Sequence, residues 1–115
     1  MHELSIALSI VDAAIEAAER EGGGRIVAVH LRLGPVAGVV PEALLSAFEL
    51  ARAGSPLENA QLVVERVPLV TWCPTCEAER TPVSLQRLCC PVCAAPTPQI
   101  VRGRELEVTA LEIQE

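Results

Sequence analysis

The cysteines of this chain occur in two closely spaced pairs, Cys73 with Cys76 and Cys90 with Cys93, and thirteen residues separate the pairs. A C-x₂-C pair can form a tight knuckle whose two thiolates converge on one ion, and the intervening loop is long enough to bring both knuckles together. Four thiolates in a tetrahedral arrangement select Zn²⁺ or, less often, an iron–sulfur cluster. We therefore predict a zinc-binding site formed by these four cysteines.

The predicted site is closed, because four thiolates leave no coordination position for water or a substrate. A structural zinc is favoured, and a module whose conformation responds to pH or redox state is the alternative. The fifth cysteine, Cys89, could replace Cys90, but the second pair would then have C-x₃-C spacing, so we expect Cys89 to be no ligand. A thioredoxin-like redox pair is not favoured, because neither pair directly follows a first strand and opens a helix.

The N-terminus offers a second set of metal donors. The α-amine of Met1, the amide nitrogen of His2 and its imidazole can chelate one ion in fused rings. Glu3 can add its amide nitrogen or a carboxylate oxygen. Such an all-nitrogen, in-plane donor set suits Ni(II) or Cu(II). Taken alone, however, a histidine at position 2 is more often a solvated terminal residue than a ligand.

The elements that position these donors follow from the apolar pattern. Apolar residues three and four positions apart predict an amphipathic helix over residues 4–21, and a second helix is predicted to begin at Pro41. The predicted buried stripe of the first helix consists of Leu4, Ala7, Leu8, Val11, Ala14, Ile15 and Ala18, and it is widened by Ile6, Ile10, Ala13 and Ala17. Alternating apolar residues predict three strands, and His30 is interpreted as an exposed strand residue rather than a ligand. The strands cover residues 26–33, 61–67 and 105–113.

This order of elements predicts an α+β fold, with two helices packed on a three-stranded sheet and an inserted zinc-ribbon-like module that holds the four cysteines. The segment 68–103 holds all five cysteines and six of the nine prolines, and it lacks a long periodic pattern. We therefore predict a zinc-binding domain over 68–103, inserted in a domain formed by 1–67 plus 104–115 that carries the N-terminal nickel donors.

Charge and composition exclude several classes of partner. The net charge is −6 and the only aromatic residues are Phe48 and Trp72, so neither a basic face nor a stacking platform for nucleic acid is expected. The sequence contains no run of about 20 apolar residues, so we predict no membrane-spanning helix. The N-terminus lacks the basic and apolar regions of a secretory signal, which predicts a cytoplasmic protein with reduced thiols.

Taken together, Met1-His2-Glu3 at the head of an amphipathic helix and the paired C-x₂-C knuckles resemble the HypA/HybF family of hydrogenase nickel-insertion proteins. The resemblance covers essentially the whole chain and includes Leu33-Gly34, Ala47-Phe48-Glu49 and Gly103-Arg104-Glu105-Leu106. It implies a nickel site at Met1, His2 and Glu3 and a zinc site at Cys73, Cys76, Cys90 and Cys93. Some members carry a carboxylate in the loop before the second helix. Here that loop, 36–40, has none, and Glu42 lies just beyond it.

The resemblance also implies a metallochaperone and not an enzyme. Such a protein holds Zn²⁺ as a structural ion and carries Ni²⁺ as transient cargo to the large subunit of [NiFe]-hydrogenase. Its partner is a nickel-handling GTPase (HypB-like), some members also serve urease maturation proteins, and a monomer or a dimer is expected. The alternative is a zinc-ribbon protein-interaction module without nickel function. A redox or hydrolytic enzyme is the third interpretation, and the chain has only two histidines to support one.

Overall fold

A computed structural model describes residues 2–114 and confirms the predicted α+β fold. The helices are α1 (Glu3–Arg20) and α2 (Pro41–Ala51), and a short 3₁₀ helix covers Pro35–Ala37. The strands form two three-stranded sheets with the orders β2-β1-β6 and β4-β3-β5. Their bounds are β1 Arg25–Leu33, β2 Gln61–Arg66, β3 Val70–Cys73, β4 Ala78–Arg80, β5 Gln99–Arg102 and β6 Leu106–Gln114.

The chain divides into two compact units. The first contains both helices and most of the sheet β2-β1-β6 and is formed by Met1–Arg32, Val39–Glu65 and Glu107–Glu115. The second contains the sheet β4-β3-β5 and the cysteines and is formed by Leu33–Gly38 and Arg66–Leu106. Among residues 2–114, no helix is both long enough and apolar enough to cross a membrane.

Helix α1 packs against α2 in the first unit, but its buried face is rotated from the predicted stripe. Leu4 and Leu8 are 49% and 47% exposed, whereas Ile10, which was expected only to widen the stripe, is buried. The buried positions form one narrow arc of the helix, and Leu4 and Leu8 lie beside that arc. The arc consists of Ala7, Ile10, Val11, Ala14 and Ala18. The predicted stripe was therefore wrong at its edge, because periodicity defines an apolar sector wider than the surface that a neighbour covers.

Half-buried side chains of the central strand β1 contact carboxylates on both neighbouring strands. His30 Nε2 lies 2.6 Å from Glu112 Oε2, and Arg32 lies 3.5 Å from a carboxylate oxygen of Glu65 and 4.0 Å from one of Glu107. His30 pairs with β6 near its end and Arg32 pairs with β6 near its beginning, so β1 and β6 run antiparallel. His30 is thus half-buried rather than exposed, and its imidazole is engaged within the sheet.

The second unit contains three short strands that the sequence pattern did not predict. Strand β3 pairs antiparallel with β4, with Cys73 opposite Ala78, and pairs antiparallel with β5 on its other side. These strands are three or four residues long. Segments of this length contain too few alternations to be distinguished from loop residues in a sequence.

Two glycines allow two chain segments that are distant in sequence to meet inside the second unit. Gly34 donates a hydrogen bond to the carbonyl of Glu105 at 2.8 Å, and Val36 donates to that of Gly103 at 2.8 Å. A Cβ atom on Gly34 would overlap the backbone of Gly103, and Gly103 itself has a φ of 121°. Only glycine permits this close backbone approach and this dihedral angle.

We expect Gly34→Ala to destabilise the protein by about 3 kcal/mol, because the added methyl group would overlap the backbone of Gly103, which cannot move away as a flexible side chain could. Gly38→Ala is the matched control. A Cβ atom there meets nothing within 4 Å. Gly38→Ala should therefore destabilise the protein by only about 1 kcal/mol, which is the free energy needed to place alanine in the left-handed backbone conformation. Chemical denaturation of the two variants tests the difference, and equal stabilities would contradict the close approach of the two glycines.

Candidate metal centre

The two cysteine pairs lie in turns of the second unit that have a similar backbone. Cys73 is the last residue of β3, and the turn that contains Cys76 leads into β4. The residue after each pair has a left-handed backbone, with φ 51° at Glu77 and 63° at Ala94. This conformation turns the chain sharply after the second cysteine of each pair, which directs both thiols of a knuckle to the same side.

The four thiols of Cys73, Cys76, Cys90 and Cys93 converge, with every ligand atom within 4.8 Å of the others. The Sγ atoms of Cys73 and Cys93 are 3.5 Å apart, and those of Cys76 and Cys90 are 3.9 Å apart. Tetrahedral zinc with Zn–S bonds of about 2.3 Å would place its sulfur atoms ~3.8 Å from one another. The predicted convergence of the two pairs is confirmed, and its dimensions fit a zinc ion.

Backbone amides donate hydrogen bonds to two of these sulfur atoms. The N–H of Cys76 donates to Cys73 Sγ at 3.3 Å, and that of Val92 donates to Cys90 Sγ at 3.4 Å. Hydrogen bonds to sulfur favour the ionised form, which is the form that binds a metal. The knuckle turns therefore position the sulfur atoms and supply a backbone donor to those of Cys73 and Cys90.

The pKa values of two cluster thiols, Cys90 and Cys93, are shifted in opposite directions. Burial raises the pKa of Cys90, but hydrogen bonds from the backbone of Cys93 and Val92 outweigh it and lower this pKa to about 6. A backbone hydrogen bond at Ala95 lowers the pKa of Cys93, but the neighbouring thiols, chiefly Cys73, and burial raise it to about 12. Metal binding requires thiolates, so a divalent cation that bound here would release the protons that its ligands still carry.

Cys89 lies outside the cluster that the structure forms within residues 2–114. It is half-buried, and its backbone makes an isolated β-bridge with Pro96. The two adjacent cysteines therefore have different environments, since Cys90 contributes its thiol to the cluster and Cys89 does not.

The sequence analysis missed Arg80, which interacts with the thiols of Cys76 and Cys90 and whose guanidinium donates to the carbonyl of Glu79 at 3.4 Å. The interaction with the thiols raises the pKa of Arg80 above its usual value, and burial opposes the rise. Arg80 ends β4 and pairs with Thr71 on β3. A charged residue four positions after a ligand cysteine is the one signal that could have drawn attention to it.

The N-terminal donors are only partly within the described residues, because Met1 lies outside them. His2 is exposed and immediately precedes α1, where its side chain makes no capping hydrogen bond and its carbonyl accepts one from the N–H of Ile6 at 3.1 Å. The first amides of a helix have no intrahelical acceptor, so the His2 and Glu3 amides lie where a metal could replace their protons. The imidazole of His2, one of the predicted nickel ligands, is therefore accessible.

Glu3 makes a contact that its place in the sequence did not predict. Its Oε2 accepts a hydrogen bond from the N–H of Val40 at 3.4 Å, and Val40 immediately precedes α2. A carboxylate at this position satisfies a helix N-terminal amide and interacts favourably with the helix dipole. The side chain of Glu3 therefore connects the start of α1 to the start of α2.

The chain is similar to known proteins along nearly its whole length. The family model described as "Hydrogenase/urease nickel incorporation, metallochaperone, hypA" matches residues 1–113. Hydrogenase maturation factor HypA of Chloroflexus aurantiacus is 53% identical over 112 residues, covering 97% of this chain and 98% of that protein. The Deinococcus radiodurans factor of the same name is 44% identical, covering 94% of this chain and 89% of that protein.

The fold is also similar to a solved structure. The solution structure of the nickel metallochaperone HypA from Helicobacter pylori is 25% identical and has a TM-score of 0.68, covering 98% of this chain and 97% of that one. The match of the family model spans the N-terminal donors, both helices and the cysteine cluster. The chain therefore belongs to the HypA family of hydrogenase/urease nickel incorporation metallochaperones.

Proposed function

We propose that this protein binds Ni(II) through its N-terminus and delivers it for the maturation of [NiFe]-hydrogenase, while a structural Zn(II) holds its cysteine unit together. The family match over residues 1–113 is the observation that carries this proposal. We assign nickel to the domain formed by 1–67 plus 104–115 and zinc to 68–103.

The proposed nickel ligands are the Met1 amine, the amide and imidazole of His2, and Glu3. The exposure of His2 supports transfer rather than storage, because an acceptor can approach a ligand that no other part of the chain covers. The carboxylate of Glu3 already accepts a hydrogen bond from Val40. We therefore propose that Glu3 contributes chiefly its amide nitrogen, and that its side chain keeps the N-terminal donors beside α2.

The proposed zinc ligands are Cys73, Cys76, Cys90 and Cys93. Zinc is favoured over nickel here, because the spacing of the sulfur atoms fits a tetrahedron and Ni(II) prefers planar or tetragonal sites. When bound, zinc would supply structural cross-linking and no open coordination position. The cysteine unit has short strands and little apolar core, which supports its dependence on a metal.

The proposed partners are a nickel-handling GTPase, the hydrogenase large subunit and, in some settings, urease maturation proteins. We propose no enzymatic activity, because the role needs binding and release rather than bond cleavage. We propose that the protein functions in the cytoplasm, where the cysteine thiols that would bind zinc stay reduced. The net charge of −6 gives no support to nucleic acid as a partner.

Metal stoichiometry tests the proposal. Tag-free protein incubated with excess nickel and then desalted should contain about one zinc and one nickel per chain. A mild chelator should remove the nickel and leave the zinc, because four thiolates bind zinc more tightly than an exposed N-terminus binds nickel. Elemental analysis before and after chelation measures both ions.

Two outcomes would contradict the proposal. Nickel that enters only by displacing zinc would place the cargo at the cysteines and not at the N-terminus. Zinc without any nickel binding would leave a zinc-ribbon interaction module, with the GTPase and hydrogenase assignments unsupported.

A further inference from the structure

A groove of about 420 Å³ lies between helix α2 and strand β2, within the first unit. Residues from one face of the helix and from its C-terminal end form one wall, and the start of the strand forms the other. The helical wall consists of Leu45, Phe48, Glu49 and Arg52, and the strand wall consists of residues 60–63. The groove contains none of the proposed nickel or zinc ligands, so its function is separate from metal binding.

Strand β2 is an edge of its sheet within residues 2–114, because β1 is its only neighbour there. Backbone N–H and C=O groups that point away from β1 have no strand partner, and such a row of groups can pair with an added strand. Proteins commonly protect an edge with charged residues or proline, but residues 61–64 include neither. Strand β2 is therefore able to accept another strand.

Apolar side chains line the groove beside this open edge. Phe48 and Leu62 are buried, whereas Leu45 and Val63 are each 39% exposed. A strand added to β2 would cover these two exposed side chains, and the burial of apolar surface favours association. The groove thus combines backbone groups that can pair with apolar contacts, as sites that bind peptides by strand addition do.

Arg52 supplies a cation at the end of the groove where β2 begins. The side chain is half-buried, and its Nη1 donates a hydrogen bond to the carbonyl of Ala60. No carboxylate within the described part of the chain forms an ion pair with it. A guanidinium carries several N–H donors in a fixed geometry, so its remaining donors can bind a carboxylate from outside.

The spacing of these wall residues matches an extended chain. Arg52 follows Phe48 by four residues, which corresponds to about 6 Å along a helix axis. Side chains on the same face of a strand are two residues, or ~6.8 Å, apart. One side chain of an added strand can therefore contact Phe48 while the next one on that face reaches Arg52. Glu49 also lines the groove and would repel a second acidic group.

We propose that this groove binds an extended segment of a partner protein, in which an apolar residue is followed two positions later by an aspartate or glutamate. The segment adds to β2 as an antiparallel strand, which is the more stable pairing per residue. In that direction its later residues lie toward the start of β2, where Arg52 contacts Ala60. The apolar side chain packs on Leu45 and Phe48, and the carboxylate binds Arg52.

The test is an NMR titration of the full-length protein, labelled with ¹⁵N, with the capped peptide Thr-Val-Thr-Leu-Thr-Asp-Thr. Amide shifts should concentrate at residues 45–52 and 60–63. A peptide with asparagine in place of the aspartate should bind about fivefold more weakly, because it lacks the charge that pairs with Arg52.

Two N-methylated peptides test strand addition without changing the protein. One carries N-methyl groups on its internal threonines, and the other carries them on its valine, leucine and aspartate. Alternate N–H groups of a strand point to opposite sides, so only one of the two peptides loses the donors that face β2. That peptide should bind about tenfold more weakly, and the other should bind like the unmodified peptide.

Arg52→Gln assigns the carboxylate to its binding partner. In this variant the aspartate and asparagine peptides should bind equally, because the cation that distinguishes them is gone. Arg20→Gln is the matched control, since Arg20 lies in the same unit but pairs with Glu16, and it should keep the fivefold difference. If Arg52→Gln does not fold, the peptide comparisons on wild type still decide the proposal.

Three results would overturn the proposal. The first is a titration of wild type that shifts no amide of residues 60–63. The second is equal affinity of wild type for the aspartate and asparagine peptides. The third is an equal effect of the two N-methylation patterns, which would exclude strand addition. None of these results would alter the metal assignments, because the peptides are tested at a groove without metal ligands.

Discussion

Replacing His2 with alanine should abolish specific nickel binding and leave the zinc content unchanged. The imidazole is the one side-chain nitrogen in the proposed donor set, and the backbone nitrogens that remain form a weaker chelate. His2 is exposed and its side chain caps nothing, so the free energy of unfolding should change by less than about 0.5 kcal/mol. Calorimetric titration of tag-free protein with nickel measures the loss.

A single glycine added before Met1 should weaken nickel binding as well, without removing any side chain. The extension converts a primary amine, which coordinates readily, into an amide that must first lose a proton. Binding by wild type should also fade as the pH falls, because a protonated imidazole cannot ligate a metal. The added glycine tests the role of the terminal amine, and the pH dependence tests the role of the imidazole.

Glu3→Gln is the matched control for the N-terminal site. Glutamine keeps the backbone nitrogen and an oxygen that can accept the hydrogen bond from Val40, and it removes only the charge. Its effect on nickel affinity should therefore be smaller than that of His2→Ala. Equal affinities in wild type, His2→Ala and the extended protein would rule out the N-terminal site.

Cys76→Ser should release the zinc and unfold much of the second unit. The apparent binding free energy of a structural zinc site rich in cysteine is on the order of 10 kcal/mol, which exceeds what three short strands supply. The helical unit should survive, because it has its own core, which includes Leu44, Phe48 and Ile26. Elemental analysis gives the zinc content, and amide hydrogen exchange shows which unit loses protection.

Cys89→Ser is the control for the cysteine experiment, since it removes a neighbouring thiol that lies outside the cluster. Its zinc content should equal that of wild type. Zinc loss in Cys89→Ser together with zinc retention in Cys90→Ser would show that the wrong ligand was chosen. Full zinc retention in Cys76→Ser would overturn the four-cysteine site.

The sequence by itself determined the features that depend on local spacing. The two C-x₂-C pairs indicated four converging thiols, and the structure brings them within 4.8 Å of one another. The helices also followed from local pattern. Apolar spacing and the position of Pro41 predicted both bounds of α1 and the start of α2 to within one residue, whereas α2 ends at Ala51, before the Gly54-Ser55-Pro56 that was expected to stop it. Such features rest on contacts between residues three or four positions apart, which a sequence displays directly.

Only the tertiary structure decided which distant residues meet. It grouped residues 33–38 with the cysteine unit, paired Arg80 with Thr71 across β3 and β4, and joined the Glu3 carboxylate to Val40. It also showed that Leu4 and Leu8 of α1 are exposed. Each of these contacts depends on strand register or on the approach of segments far apart in the chain. Local periodicity carries no information about such pairings, because the same pattern is compatible with many registers.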